Sequence, residues 1–514
     1  MTKCMLLLKQ ILIQAYLRLK KTVDFVVNQI YIELPLDIRM DEKCQECGQK
    51  DNGRYCQPCN SVHFCDNFPN WSSGDSNLDK LIQNSQLNAT KVSELIEWIE
   101  YSNFENIEFI AHGGFGSIYK ATWKDGPISV YTRAWDFNKS EWQRENNKEV
   151  AIKKFRNLSH INTEFLNEVN TSLKLGGFAN IVSIYGVTYD TQNDEYAIIT
   201  KFQNGGNLRE MIKKNHNKLT WDGIIRVLID ICGGLSLIHD INYCHKDFHS
   251  GNILNGIFFD KIIEPAISDF GQCRHTDQSF TDKTPYGVLP FVAPEVLCGG
   301  EFTEAVDIYG LGMIMFEVIN GEPPFADREY DVELALAICN GLRPQIPEYT
   351  PEPYAELMKR CWDPVPINRP TAYELFERFC NLFVFNKGES SKFSEDKSGK
   401  YNEDKEDKPS ILNENKSSEL HEFGKDKSIE FNVDYSNELN KLLEWYLKRI
   451  KLENEKVFSQ EREDKWKARL AELATNPTPL KKSQNLLTSK RLDYSQYLSQ
   501  KLTVEDWNKL KLTE

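Results

Sequence analysis

His245-Lys246-Asp247-Phe248-His249-Ser250-Gly251-Asn252, followed by Ser268-Asp269-Phe270-Gly271, is the stretch on which the reading of this chain turns. It sets two acidic side chains and one amide in the order that phosphoryl transfer uses. One carboxylate accepts or orients the proton of an attacking hydroxyl, and an amide five residues on reaches a metal ion. A second carboxylate, at the next strand end, holds the metal that bridges the nucleotide phosphates. Asp247, Asn252 and Asp269 supply that set in order. The first half of the pattern alone recurs by chance. Followed by Asp-Phe-Gly, with Asp269 standing 22 residues after Asp247, it is specific.

Working outward, Ile110-Ala111-His112-Gly113-Gly114-Phe115-Gly116-Ser117-Ile118-Tyr119-Lys120 resembles a protein-kinase glycine-rich loop, and Val150-Ala151-Ile152-Lys153 resembles the third strand with its ATP-anchoring lysine. Downstream, Ala293-Pro294-Glu295, Asp307-Ile308-Tyr309-Gly310 and Cys361-Trp362-Asp363-Pro364 through Arg369-Pro370 complete the pattern. The chain thus resembles a eukaryotic protein kinase over roughly residues 104–382. Its Cys-Trp…Arg-Pro ending is similar to the tyrosine-kinase-like group. The N-terminal Cys pairs, Trp71-Ser72-Ser73-Gly74 and Leu95-Ile96-Glu97-Trp98-Ile99 look like the expanded kinase sets of mycorrhizal fungi. The implied fold is α+β and bilobal, a β-rich N-lobe followed by a helical C-lobe. The order of β-type runs (108–119, 150–155, 181–188, 196–201) before mainly helical sequence agrees with it. Residues 123–148 exceed what a hairpin needs and read as an insertion between the second and third strands.

Phosphates need close backbone approach, which small residues permit, and Gly113, Gly114 and Gly116 offer it. The resemblance assigns nucleotide contacts to Ala111, His112, Gly113, Gly114, Phe115, Gly116, Ile118, Ala151, Lys153, Thr200 and Phe202. Phe115 would cap the loop tip, Ala111 replaces the family's first glycine, and Thr200 stands as gatekeeper of a hinge through Gln203. A buried lysine needs a carboxylate partner. For Lys153 the resemblance gives Glu168, with Glu164 one turn earlier as the competing choice. Asp247 is the expected catalytic base, and Asn252 and Asp269 the Mg²⁺ ligands, hard oxygen donors suited to that ion. Glu295 and Arg369 should form a buried, bracing ion pair.

Three positions depart from the family pattern. Lys246 replaces an arginine and offers a point charge in place of a bidentate fork. His249 stands where many Ser/Thr kinases carry lysine, and Val288 where many carry threonine. Group resemblance favours Ser/Thr hydroxyls of protein substrates, in signal transduction. The alternative is a kinase-fold scaffold that binds nucleotide and partners but transfers phosphate poorly. Thr276, Ser279, Thr281 and Thr284 are candidate phosphate acceptors in the segment from Asp269 to Glu295.

A second constellation is Cys44-x2-Cys47-x8-Cys56-x2-Cys59. Two such hooks let four thiolates converge on one tetrahedral Zn²⁺, a closed structural site within residues 41–66. His63 and Cys65 are nearby spare ligands, and unpaired thiols or a redox pair are the other reading.

The 514 residues are too many for one core. A net charge of −14 argues against a general nucleic-acid binder. Five of the 13 cysteines fall between Cys44 and Cys65 and the rest scatter, which suggests a reducing, cytoplasmic setting. Residues 1–40 read as an apolar helical lead broken by Lys9, Arg18, Lys20 and Lys21, with no membrane span and no clear signal peptide, and with Met40 an alternative start. Leu78 to Glu100 reads as a helix. Residues 386–434 are too polar to bury a core and should be disordered. Residues 435–514 form a helical tail whose stripe of Leu439, Leu442, Leu443, Tyr446, Leu447 and Ile450 would pack on the kinase or take a protein partner.

Overall fold

The structure is a computed structural model. It describes residues 43–49, 54–114, 116–155, 161–178, 180–215, 218–258, 262–276, 284–386, 458–476, 487–494, 497–498 and 501. The apolar lead, Phe115, Ser279, Thr281, the polar segment 387–434 and the stripe 439–450 lie outside the described residues. Two compact units emerge: Met1–Glu108, Lys120–Ile152 and Tyr185–Ile199 form the first, and Phe109–Tyr119, Lys153–Ile184 and Thr200–Glu514 the second.

In the first unit, helix α1 (Gln57–Asn67) carries Pro58 in its first turn, which suits a turn whose N–H groups have no helical partner. Helix α2 (Ser76–Asn88) is capped by Asp75, whose carboxylate accepts from the backbone of Asn77 and Leu78. Leu78 and Ile82 are fully buried. The helix expected to reach Glu100 stops at Asn88, because Ala89 is extended and the chain then turns into strand β1 (Glu97–Trp98). Two long-range bonds hold that change: Gln86 Nε2 donates to the Ile96 carbonyl (3.0 Å), and β1 pairs in parallel with residues 186–187. A Cβ at Gly186 would overlap the Glu97 carbonyl, so only glycine admits β1 there.

Strands β2 (Phe104–His112) and β3 (Gly116–Trp123) flank the glycine-rich turn. The residues after β3 form the expected insertion, with a short hairpin of β4 (Trp135–Asp136) and β5 (Glu141–Trp142). Strand β6 (Lys148–Phe155) follows, and β7 (Ile184–Asp190) and β8 (Glu195–Lys201) complete a six-stranded sheet of order β1-β7-β8-β6-β3-β2. The first unit has its own small core of Tyr55, Phe64, Ala89, Leu95, Ile128 and Ala134. It joins the cysteine-bearing segment to the insertion.

The second unit is mainly helical. Helix α3 (Thr163–Lys174), capped by Asn162, buries Phe165, Glu168 and Val169. Helices α4 (Leu208–Asn215) and α5 (Trp221–Asp240) precede β9 (Tyr243–Cys244) and the hairpin β10 (Ile253–Phe258) with β11 (Ile262–Ile267). Strands β12 (Arg274–His275) and β13 (Tyr286–Gly287) follow, then helices α6 (Pro294–Leu297), α7 (Glu304–Asn320), α8 (Val332–Cys339), α9 (Glu352–Cys361) and α10 (Ala372–Asn386). Helix α7 is buried on every face from Val306 to Ile319, as its apolar sequence requires. In the tail, α11 (Gln460–Thr475) stacks Trp466 on Trp221 with ring centroids 4.5 Å apart, and Trp466 is fully buried. This helix therefore packs within the second unit.

Candidate active site

Lys153, near the end of β6, points its ammonium at two carboxylates. Its Nζ lies 2.5 Å from Glu168 Oε1 and 2.7 Å from Asp269 Oδ1. Glu168 reaches it because α3 turns that residue inward with Phe165 and Val169, while Glu164 is exposed. Phe155 packs edge-on against Phe165 (5.1 Å), fixing β6 against α3 beside the pair. Burial opposes charge on Lys153, but Asp269 and Glu168 together outweigh it and hold the ammonium above its usual range. Burial dominates at Glu168 and lifts its carboxyl above the ordinary value. At Asp269 burial also pushes upward, yet Lys153 overcomes it and the carboxyl is held below its ordinary value.

Asp269 takes a left-handed backbone (φ 63°), followed by Gly271. A Cβ at Gly271 would stand 2.9 Å from Glu168 Oε2, so the carboxylate of α3 occupies the space a side chain would need. Glycine at 116 has a packing reason beside the one its sequence suggests. A Cβ there would collide with the Lys154 carbonyl, so close strand packing already requires it. Gly113 is open by comparison, with its nearest atom 3.8 Å away. Ala111 and His112 are exposed at the end of β2, and His112 Nδ1 lies 3.1 Å from the Ser117 hydroxyl. Ile118, Thr200 and Phe202 are half-buried in the second unit, and Ala151 is half-buried on β6 in the first.

The loop carrying Asp247 is built by groups to which the sequence reading gave no role in that loop. Asp307, 1% exposed, accepts from the backbone of His245 (2.7 Å) and Lys246 (2.9 Å) and meets His239 Nε2 at 3.0 Å. A Cβ at Gly310, one helical turn on, would press to 2.5 Å from the Phe248 carbonyl. Behind the loop, Arg209 Nε donates to Glu317 Oε1 (2.5 Å) and its Nη2 to Ser250 Oγ (2.9 Å), all three buried. Asp247 is 5% exposed, and its Oδ1 makes no hydrogen bond among the described residues. Such an orphaned oxygen is free to receive a proton from a bound hydroxyl. Asn252 Nδ2 donates to the Asp247 carbonyl (2.9 Å), which leaves Asn252 Oδ1 as the amide atom available to a cation.

Lys246 carries its charge 3.8 Å from the Phe302 ring centroid, and burial, its largest influence, keeps its pKa below the usual lysine range. Arg369 grips Glu295 bidentately at 2.6 and 2.8 Å, both residues buried.

In the first unit the Sγ atoms of Cys44, Cys47, Cys56 and Cys59 all lie within 4.8 Å of one another. Cys44 and Cys59 are 3.8 Å apart, Cys47 and Cys56 3.7 Å. Zn–S bonds of about 2.3 Å in a tetrahedron imply S···S edges near 3.8 Å, so the set fits such an ion. His63 and Cys65 stay out of it. His63 Nε2 meets Glu46 (3.0 Å) and its ring stacks on Trp135 at 3.9 Å, while Cys65 is exposed.

A family profile described as protein tyrosine and serine/threonine kinase matches residues 104–379. The chain belongs to that protein kinase family, which implies ATP and Mg²⁺; its sheet-rich and helical parts fit the bilobal kinase fold. It is 29% identical over 288 residues to a "Probable serine/threonine-protein kinase" of Dictyostelium discoideum, covering 55% of this chain and 16% of that protein. It is 27% identical over 298 residues to serine/threonine-protein kinase STY46 of Arabidopsis thaliana, covering 56% and 47%. To dual specificity protein kinase splA of D. discoideum it is 28% identical over 291 residues, covering 53% and 11%. The chain thus spans less than half the length of each of these curated relatives.

Proposed function

We propose that this protein is an active, ATP- and Mg²⁺-dependent kinase that phosphorylates Ser/Thr hydroxyls of protein substrates. The observation that carries the reading is Lys153, in contact with both Glu168 (2.5 Å) and Asp269 (2.7 Å), in the same unit as an Asp247 oxygen without a hydrogen bond. In this reading Lys153 holds the α- and β-phosphates and Glu168 orients Lys153. Gly113, Gly114 and Gly116 give the phosphates backbone, and Ala111, His112, Ile118, Thr200 and Phe202 contact the nucleotide. Asn252 and Asp269 supply oxygens to Mg²⁺, which when bound neutralises charge on the phosphates. Asp247 takes the proton of the substrate hydroxyl.

Two kinase relatives are named for Ser/Thr and one for dual specificity, which favours Ser/Thr substrates. The family's usual losses in inactive members, at the anchor lysine or the two aspartates, are absent, which disfavours the scaffold reading. Membership of the tyrosine-kinase-like group and of the fungal expansion rests on the Cys-Trp…Arg-Pro and N-terminal motifs. The four thiols are read as holding one structural Zn²⁺. The reading of a reducing, cytoplasmic setting rests on the scatter of thiols along the sequence. Among the described residues no helix is long and apolar enough to cross a membrane. A partner for the tail helix would have to use a face other than the one Trp466 buries.

The test is phosphate transfer from Mg²⁺-ATP to casein by the full chain beside an Asp247→Asn control. Transfer by the parent alone is expected; equal signals from both would overturn the reading.

A further inference from the structure

A short strand from the chain's own C-terminal segment lies against the catalytic loop. Strand β14 (Lys490–Arg491) pairs antiparallel with β13, Arg491 opposite Tyr286 and Lys490 opposite Gly287. The Leu492 N–H donates to the Pro285 carbonyl (2.8 Å), and Arg491 Nη2 donates to Thr284 Oγ1 (3.0 Å). Leu492 and Leu498 are 1% and 0% exposed, and the Tyr497 hydroxyl donates to Glu333 (2.6 Å). The strand is therefore anchored by side chains as well as by backbone.

What it delivers is Ser489. The Ser489 carbonyl accepts from the Tyr286 hydroxyl (3.0 Å) and would stand 3.1 Å from a Cβ at Gly114 of the glycine-rich turn. The Ser489 hydroxyl lies 3.0 Å from His249 Nε2, which is itself 3.4 Å from Asp247 Oδ1. The Gly251 N–H donates to His249 Nδ1 (3.1 Å), so the neutral ring carries its proton on Nε2 and donates it to the Ser489 hydroxyl. The Ser489 hydroxyl thus sits two contacts from the unbonded oxygen of the expected catalytic base. The same strand supplies the main-chain pairing by which extended peptides are commonly recognised.

We propose that Ser489 is phosphorylated in cis by this chain's own active site, with β14 as a tethered substrate strand. The proposal rests on the kinase reading above. In the step, Ser489 Oγ forms a bond to the γ-phosphorus as its proton passes to the Asp247 carboxylate. The bond between that phosphorus and the β–γ bridging oxygen breaks, and ADP leaves with the electron pair. His249 positions the serine hydroxyl and takes no part in the bond changes. Because the acceptor is tethered, its effective concentration is set by the chain and not by dilution.

The experiment incubates the full chain with Mg²⁺-ATP over a wide dilution series and maps phosphate by mass spectrometry, with casein transfer measured in parallel. Phosphate on Ser489 with a half-time independent of enzyme concentration is expected, absent in Asp247→Asn. Leu492→Arg should remove the buried anchor and slow Ser489 modification by at least about tenfold, with casein transfer at or above the parental rate. Leu492→Ala, a milder change, should fall between the two. Casein transfer without phosphate on Ser489 would overturn the proposal and leave the kinase reading standing. A half-time that lengthens on dilution would overturn the cis assignment. Absence of both signals would instead defeat the kinase reading, and this proposal with it.

Discussion

The cysteine cluster and the catalytic cluster solve the same problem, holding several reactive groups together, over very different chain distances. The outermost thiols, Cys44 and Cys59, stand 15 residues apart, whereas Lys153 and Asp269 stand 116 apart. A short loop needs few other contacts to converge, because little closure entropy opposes it. The catalytic groups converge only through α3, the Asp307 bracket and the Arg209–Glu317–Ser250 network. Local spacing thus announces the first site, while the second depends on the packing of most of its unit.

The largest effect that could break this contrast lies in the cysteine cluster. The reduced protein should carry about one equivalent of zinc, and a chelator or Cys56→Ser should unfold the segment, since structural zinc supplies on the order of 10 kcal/mol in small zinc peptides. Because Phe64 stacks on Trp142 (4.2 Å) and His63 on Trp135, the loss should spread into the insertion and appear in tryptophan fluorescence. Elemental analysis finding no metal in the reduced protein would remove the basis for calling this a metal-built region.

At the catalytic cluster, Asp247→Asn should lower kcat by about 10²–10⁴-fold, the range of a general-base contribution, and leave Mg²⁺-ATP binding intact. Asp269→Asn should instead abolish the Mg²⁺-dependent part of the ATP-induced rise in Tm. An Asp269→Asn protein that keeps that rise would take the metal role away from Asp269. Further from the chemistry, Arg369→Ala leaves Glu295 buried without its partner and should lower stability by about 3–5 kcal/mol in denaturant unfolding. A much smaller loss would mean that water or a neighbour replaces the guanidinium.

The sequence carried the cysteine set whole, because ligand spacing is itself the geometry. The Glu295–Arg369 contact was legible too, each partner standing in a motif, while the roles read for Asp247, Asn252 and Asp269 rest on their motifs. Between Glu164 and Glu168 the residues alone left a choice that the inward face of α3 decides. Other features were not legible because their cause lies far along the chain. Leu95 to Ile99 has apolar residues that suit a helix, yet Gly186 admits it as a strand. Asp307 belonged to a recognised motif, but its grip on the catalytic loop appears only once α7 is packed. Ser489 lies in the tail read as helical, whereas Lys490–Arg491 next to it form a strand, and only that strand's pairing with Tyr286 and Gly287 brings Ser489 to His249.

The smallest expected effect sharpens the contrast electrostatically, since the catalytic cluster is held by charge. In the parent, Glu168 is shifted upward and Asp269 downward. A carboxyl with a raised folded pKa binds more protons when folded, so it adds stability as pH falls towards the unfolded value. One with a depressed pKa loses its contribution as pH falls through the folded value. The two shifts act in different windows: the Asp269 contribution is complete above its ordinary carboxyl value and is lost only below it, so above about pH 5 the parent's slope through this cluster comes from Glu168 alone, which adds stability as pH falls towards its ordinary value. Lys153→Met removes the cation that holds Asp269 down and leaves two buried carboxyls facing each other. Like charges sharing a site raise at least one pKa. The variant should therefore be less stable than the parent at neutral pH and gain stability on acidification, by at most about 1.4 kcal/mol per pH unit for each proton taken up. Urea unfolding at several pH values measures that slope. If Lys153→Met shows no steeper slope with pH than the parent, the two carboxylates are not coupled through Lys153, and the cluster is held by packing as the cysteine segment's surroundings are.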